Sequence, residues 1–173
     1  MGLFRRDKGQ GPKGQRFLMK EKLISIGDDY WIEDSAGQRV FKVNGKALRV
    51  RDTFVLEDAL GREVATIKER KLSIRDAITI EIGDQKATLK KAMIGIRERY
   101  NVEVDGGPDL KVHGNIVDHE YEIEIDDGPK IGEVSKKWFR LRDSYGVDVL
   151  DPVHTVMVLA VAVAVDSISH DKG

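Results

Sequence analysis

Between about residue 16 and residue 150 the apolar positions recur with a period of two rather than 3.6. KLISI, YWIED, RVFKV, TFVLED, EVATIKE, AITIEI, KATLKK, RYNVEV, DLKVHG, YEIEI and KIGEVS alternate or nearly so. The turn-forming stretches GDD, SAGQ, NGK, ALGR, GDQ, DGGP and DDGP divide them. Short strands of this kind, roughly 8–12 residues apart, predict an antiparallel sandwich or a closed barrel.

A repeat sits inside that rhythm. GQRVFKVNGKALRVRD (37–52), GREVATIKERKLSIRD (61–76) and GPKIGEVSKKWFRLRD (128–143) align over 16 residues without a gap. Each has Gly first, Val or Ile at offsets 3 and 6, an apolar pair near the end, and then Arg-Asp. Gly37, Gly61 and Gly128 are expected to supply positive φ in hairpin turns. The pairs Leu48 and Val50, Leu72 and Ile74, and Phe139 and Leu141 should share one face of the second strand. Adjacent strand residues point to opposite faces, so each closing Asp is read as a turn residue rather than as its neighbour's ion-pair partner. A catalytic site does not need its key residues three times, and the motif is read as structural.

One segment breaks the period. VMVLAVAVAVD (156–166) holds ten apolar residues before its Asp. As a helix the uncharged run 155–165 rises about 16 Å, against roughly 30 Å of hydrocarbon in a bilayer, so it is too short to span. AVAVAV alternates like a strand, but Asp151-Pro152 places an N-cap residue directly before proline at the first helical position. Valine's helix penalty is of order 0.5 kcal/mol per residue. Burying Val156, Met157, Val158, Leu159, Val161, Val163 and Val165 contributes roughly 10–20 kcal/mol as an upper bound. A helix at about 152–168 follows. Being apolar all round, it must be enclosed, and the preceding strands are its enclosure. Ala160, Ala162 and Ala164 would let those strands come close. The expected fold is mainly β: a closed antiparallel barrel around its own C-terminal helix.

Those residues resemble the LURP-one-related family, within the superfamily of Tubby C-terminal-like domains that includes phospholipid scramblases. The resemblance rests on FLMKEKLISIGDDYWIEDSAGQRVFKVNGKAL, on VSKKWFRLRDSYGVDV, and on the apolar helix ending in Asp. It implies a barrel of about twelve strands around a hydrophobic helix. For function it implies lipid association: Tubby domains bind phosphoinositide head groups through basic residues, and scramblases are linked to lipid movement and calcium.

Composition changes the picture in three places. The chain has 173 residues and a formal charge of −1, so no global field implies a nucleic-acid partner. Cysteine is absent, which removes disulfides and thiolate chemistry and suits a cytoplasmic protein. Residues 1–20 carry Arg5, Arg6, Lys8, Lys13, Arg16 and Lys20 against Asp7 alone. Residues 1–15 are therefore read as a flexible basic tail before a single domain, 16–173. By contrast 103–127 is acidic, with Lys111 its only Lys or Arg.

The densest basic run in the folded part is Lys136, Lys137, Arg140 and Arg142, beside Trp138. Strand alternation would place Lys136, Trp138, Arg140 and Arg142 on one face, where an anionic head group could meet them. Asp143, Asp148 and Asp151 crowd the approach to the helix, but without EF-hand spacing, and turn formation and capping account for Asp143 and Asp151. His113, His119, His154 and His170 form no metal-ligating pattern. No G-x-S-x-G elbow, Walker loop or G-x-G-x-x-G occurs, so neither catalytic residues nor a cofactor are expected. The sequence reads as a non-enzymatic binding domain, cytoplasmic or peripheral at the membrane. It would engage anionic phospholipid or a protein partner on the outer barrel surface. The alternatives are a scaffolding module that docks through the acidic hairpins and, more remotely, scramblase-like lipid handling.

Overall fold

A computed structural model describes residues 14–20, 29–44, 53–71, 76–92, 99–138 and 144–170. Twelve strands follow one another in the chain: β1 Gln15–Lys20, β2 Tyr30–Asp34, β3 Arg39–Asn44, β4 Thr53–Asp58, β5 Glu63–Lys71 and β6 Asp76–Ile82, then β7 Gln85–Ala92, β8 Arg99–Val104, β9 Leu110–Asn115, β10 Glu120–Ile125, β11 Lys130–Ser135 and β12 Ser144–Val149. Each pairs antiparallel with its sequence neighbours, and β1 closes the barrel by pairing with both β2 and β12. A 3-10 turn, Pro152–His154, leads into α1, Thr155–His170.

Ten of the alternating segments are strands β2 to β11, while KLISI falls outside the described residues. The period did not reveal β1 or β12. β12 is buried at five of its six positions, so it has no solvent face with which to alternate. β1 commits only Phe17 and Met19 fully to the interior.

The repeat has a structural counterpart on its hairpins. In the first two copies an aspartate closes the turn. Asp34 accepts from the amides of Ala36 and Gln38, and Asp58 from those of Leu60 and Arg62, all at 2.9–3.0 Å. Gly37 and Gly61 take φ of 77° and 80°, as the turn requires. The third copy departs from this expectation. There Asp127 takes the positive φ, at 56°. Gly128 answers to space instead, since a Cβ on it would lie 2.9 Å from the Ile125 side chain. A register shift interrupts each of the three hairpins just before its turn, at Ile32/Glu33, Leu56/Glu57 and Ile123/Glu124. Such bulges raise the local twist, which a closed wall needs. The apolar pairs expected late in each repeat lie outside the described residues, as do Arg51-Asp52, Arg75 and Arg142-Asp143.

Asp151 caps the helical segment as its sequence predicts. It is extended at φ −127° and accepts from the Val153 amide at 3.1 Å. From there α1 runs through the barrel. Val158 to Asp166 are all buried, each at most 1% exposed. Val156 and Met157, expected in the core, are only half-buried, because the first turn of α1 still lies in the barrel mouth. Barrel width grows with strand number, and a helix with side chains is about 10–12 Å across, so twelve strands leave room for one helix. The helix packs against β5, β6, β11 and β12. At Gly132 of β11 an added Cβ would lie 2.7 Å from a Val158 methyl, so the helix passes where that strand has no side chain. No described helix is long and apolar enough to cross a membrane.

The two barrel ends therefore differ. Five hairpins, β2–β3, β4–β5, β6–β7, β8–β9 and β10–β11, lie at the end where the chain enters α1. At the opposite end, where α1 finishes, β1, β3, β5, β7, β9 and β11 end and β2, β4, β6, β8, β10 and β12 begin, with six stretches of chain between them. Of those, only 116–119 is described throughout.

Candidate functional site

Two places concentrate polar chemistry: the basic segment after β11 on the outside, and a buried cluster where α1 ends.

The basic segment is not the continuous strand the alternation implied. β11 ends at Ser135, and Lys136, Lys137 and Trp138 form a bend and a turn rather than strand. Glu120 and Ser135 anchor this turn. The Ser135 hydroxyl donates to the Glu120 carboxylate at 2.8 and 2.9 Å, and the Lys136 amide donates to the same carboxylate at 3.1 Å. The Lys137 amide in turn donates to the Ser135 hydroxyl, also at 3.1 Å. Lys137 is exposed, and Lys136 and Trp138 are half-buried. Arg140 and Arg142, the other expected members, lie outside the described residues.

Trp138 gains a partner that sequence reasoning did not find. The Arg16 guanidinium lies 4.2 Å from its ring centroid and also donates to Asp148 at 3.1 Å. The other tryptophan, Trp31, has Arg39 at 5.5 Å. Asp148 is thus engaged by Arg16, and Asp151 by the helix cap, while Asp143 lies outside the described residues. Among the described residues no group of three His, Asp or Glu side chains is placed to hold a metal. An open cleft of about 480 Å³ adjoins Arg16, lined also by Asp34 and Asp148, so its charge is mixed.

Among the described residues, three of the nine acidic residues in 103–127 pair with lysines across strands. Glu103 pairs with Lys90 at 2.9 Å, Asp126 with Lys111 at 2.6 Å, and Glu122 with Lys130 at 3.0 Å. Glu124 lies 3.3 Å from His113. Hydrogen bonds donated to Asp126 by Lys111, and to Glu133 and Glu122 by Lys130, hold these ammonium groups above the ordinary lysine range. Glu103, Glu122 and Asp126, among the acidic residues that read as a docking face, are thus engaged by the barrel's own lysines.

The buried cluster was missed. His119 closes the turn 116–119 with a left-handed φ of 52°, which is uncommon for a residue with a Cβ. Its ring stacks on Tyr145 at 4.5 Å between centroids. Its Nε2 lies 2.8 Å from Oδ1 of Asp166, with both side chains almost fully enclosed. The four tyrosines of the chain, Tyr30, Tyr100, Tyr121 and Tyr145, are all buried. Each stands first or second in a strand that starts at this end of the barrel. Burial first, and then the charge of Asp166, pushes the hydroxyls of Tyr30 and Tyr121 well above their ordinary value of 10.0. One sequence signal pointed here: Asp166 ends an otherwise apolar run and cannot reach water by itself.

Comparison with known proteins agrees with this architecture. A protein of Arabidopsis thaliana, solved by X-ray crystallography, superposes with a TM-score of 0.60 at 15% identity, over 91% of this chain and 92% of that one. At that identity the likeness concerns the fold alone. No curated protein matches. A model of the LURP-one-related family matches residues 15–166, from the first residue of β1 to the buried carboxylate of α1. The match spans the closed wall and nearly all of the enclosed helix, and the chain belongs to the LURP-one-related family.

Proposed function

We propose that this barrel is a non-catalytic binding domain that engages anionic phospholipid head groups from its outer surface, through the segment Lys136–Arg142. One observation carries the reading. Residues 136–142 hold four cations and no acid, and their described part forms an anchored turn with Lys137 exposed. The interior offers no rival site for an acyl chain along α1, because the helix occupies it. The apolar surface of that helix is likewise taken up by the wall.

Basic residues at an anionic surface contribute about 1 kcal/mol each, screened by salt. Co-sedimentation with phosphatidylglycerol vesicles should therefore be retained at low salt, weaken as salt rises, and be absent with phosphatidylcholine alone. The variant Lys136→Ala/Lys137→Ala/Arg140→Ala should lose at least about tenfold in vesicle affinity with an unchanged melting temperature. Absence of binding to anionic vesicles at low salt would remove this reading.

A further inference from the structure

The chain between β11 and β12 has only to join two neighbouring strands, yet its first residues are held from the strands on either side of that pair. Glu120, on β10, takes the Ser135 hydroxyl at 2.8 and 2.9 Å and the Lys136 amide at 3.1 Å. Arg16, on β1, sets its guanidinium 4.2 Å from the ring centroid of Trp138. In the closed wall β12 stands between β11 and β1, so the contact of Trp138 with Arg16 is made across β12. The outer face of β12 agrees. Ser144 and Gly146 alternate with the core residues Tyr145 and Val147 and are buried as well, as they must be where chain crosses that face.

Arg16 is itself fixed. Its register partner on β12 is Asp148, and the guanidinium donates to that carboxylate at 3.1 Å. A guanidinium suits this double contact, since its edge carries the donors while its planar face stacks on an aromatic ring.

We propose that Arg16 is the positioning residue of the basic segment 136–142. Asp148 orients the guanidinium, the guanidinium holds Trp138, and Trp138 keeps the exposed Lys137 in place for an anionic surface. The affinity of the segment is thereby coupled to a contact on the seam where β1 closes the barrel. Order present before the ligand arrives spares part of the entropy otherwise lost on binding. The proposal takes its ligand from the lipid-binding reading above, but the positioning itself is tested without lipid.

The chain has two tryptophans, so in a Trp31→Phe background Trp138 is the sole indole emitter. There Arg16→Ala should shift the emission to the red and raise its quenching by acrylamide. Arg16→Lys, which keeps the charge but not the planar fork, should restore only part of the wild-type signal. If Arg16 served the seam alone, its loss would lower the melting temperature and leave Trp138 emission unchanged in the folded protein; that result overturns the proposal. Vesicle binding then separates positioning from simple electrostatics by sign. Asp148→Ala removes an acid beside the segment, so charge alone would tighten binding to phosphatidylglycerol vesicles. Loss of orientation should instead weaken it by about two- to fivefold, the worth of one cation–π contact. Tighter binding by Asp148→Ala overturns the coupling. A wild-type protein that binds no anionic vesicle removes the lipid reading, while the emission of Arg16→Ala still decides whether Arg16 positions the segment.

Discussion

At the hairpin end, Asp34 and Asp58 reach no further than four residues along the chain, whereas at the opposite end His119 reaches 47 residues to Asp166. The hairpin turns need only their own strands, so they can form early and one at a time. The His119–Asp166 contact exists only once the helix is inside the wall. The hairpin turns are thus separable local devices, although their end also carries the seam contact of Arg16 with Asp148, 132 residues away, whereas the His119–Asp166 knot reports whether the helix sits inside the closed wall.

The strongest way to break that comparison is to remove the helix on which the knot depends. Val161 is wholly buried midway between the two ends. Val161→Asp places an unpaired charge there, at a cost of several kcal/mol or more, comparable to the whole stability margin of about 5–15 kcal/mol. The variant should be insoluble or unfolded by circular dichroism. An unchanged melting temperature would mean that α1 does not fill the barrel.

Next comes the knot itself. His119→Ala strips the imidazole from a carboxylate that is 1% exposed, and breaking a buried pair by removing one member typically costs about 3–5 kcal/mol. The loss should appear in urea unfolding as a lower midpoint with an unchanged slope, since the whole barrel unfolds as one unit.

The smallest effect belongs to the local turns. Asp58→Ala should lower the melting temperature only slightly, and its effect should simply add to that of His119→Ala, because the two sites share no partner. Its pH dependence has a definite sign. The Arg62 amide, helped by the Arg62 side chain and the Leu60 amide, holds the Asp58 carboxyl below its ordinary value of 3.8, against a smaller opposing effect of burial. The contribution is therefore present above about pH 4 and lost as pH falls below it. Wild-type and Asp58→Ala melting temperatures should converge in acid.

The same contrast governs what the sequence discloses. Ten strands, their turns and the start of α1 were legible, because alternation, Gly37, Gly61 and Asp151-Pro152 act within a few residues. β12 was not, since Ser144, Tyr145, Gly146 and Val147 are all buried in succession and leave no alternation to detect. Gly128 was read correctly as a turn residue but for the wrong reason, because the Ile125 side chain, not φ, excludes a Cβ there. On the outside, the placement of Lys136 and Trp138 on one strand face was not met, since β11 ends at Ser135. The buried cluster was invisible for a different reason. His119, Asp166 and the four tyrosines lie on separate strands and the helix, and only closure of the barrel brings them together.

Enclosure of α1 also has a consequence for the order in which this protein is made. The helix follows all twelve strands, so a ribosome delivers the wall before it delivers the plug. Until then, inward residues such as Ile67, Ile80 and Leu89 have nothing to surround, and the wall can pair but cannot close over a filled centre. Many proteins fold from the N-terminus as they emerge. Here the last described element fills the interior, so the wall can close over a filled centre only after α1 has been made. A nascent chain stopped short of Val158 should present its apolar strand faces to chaperones.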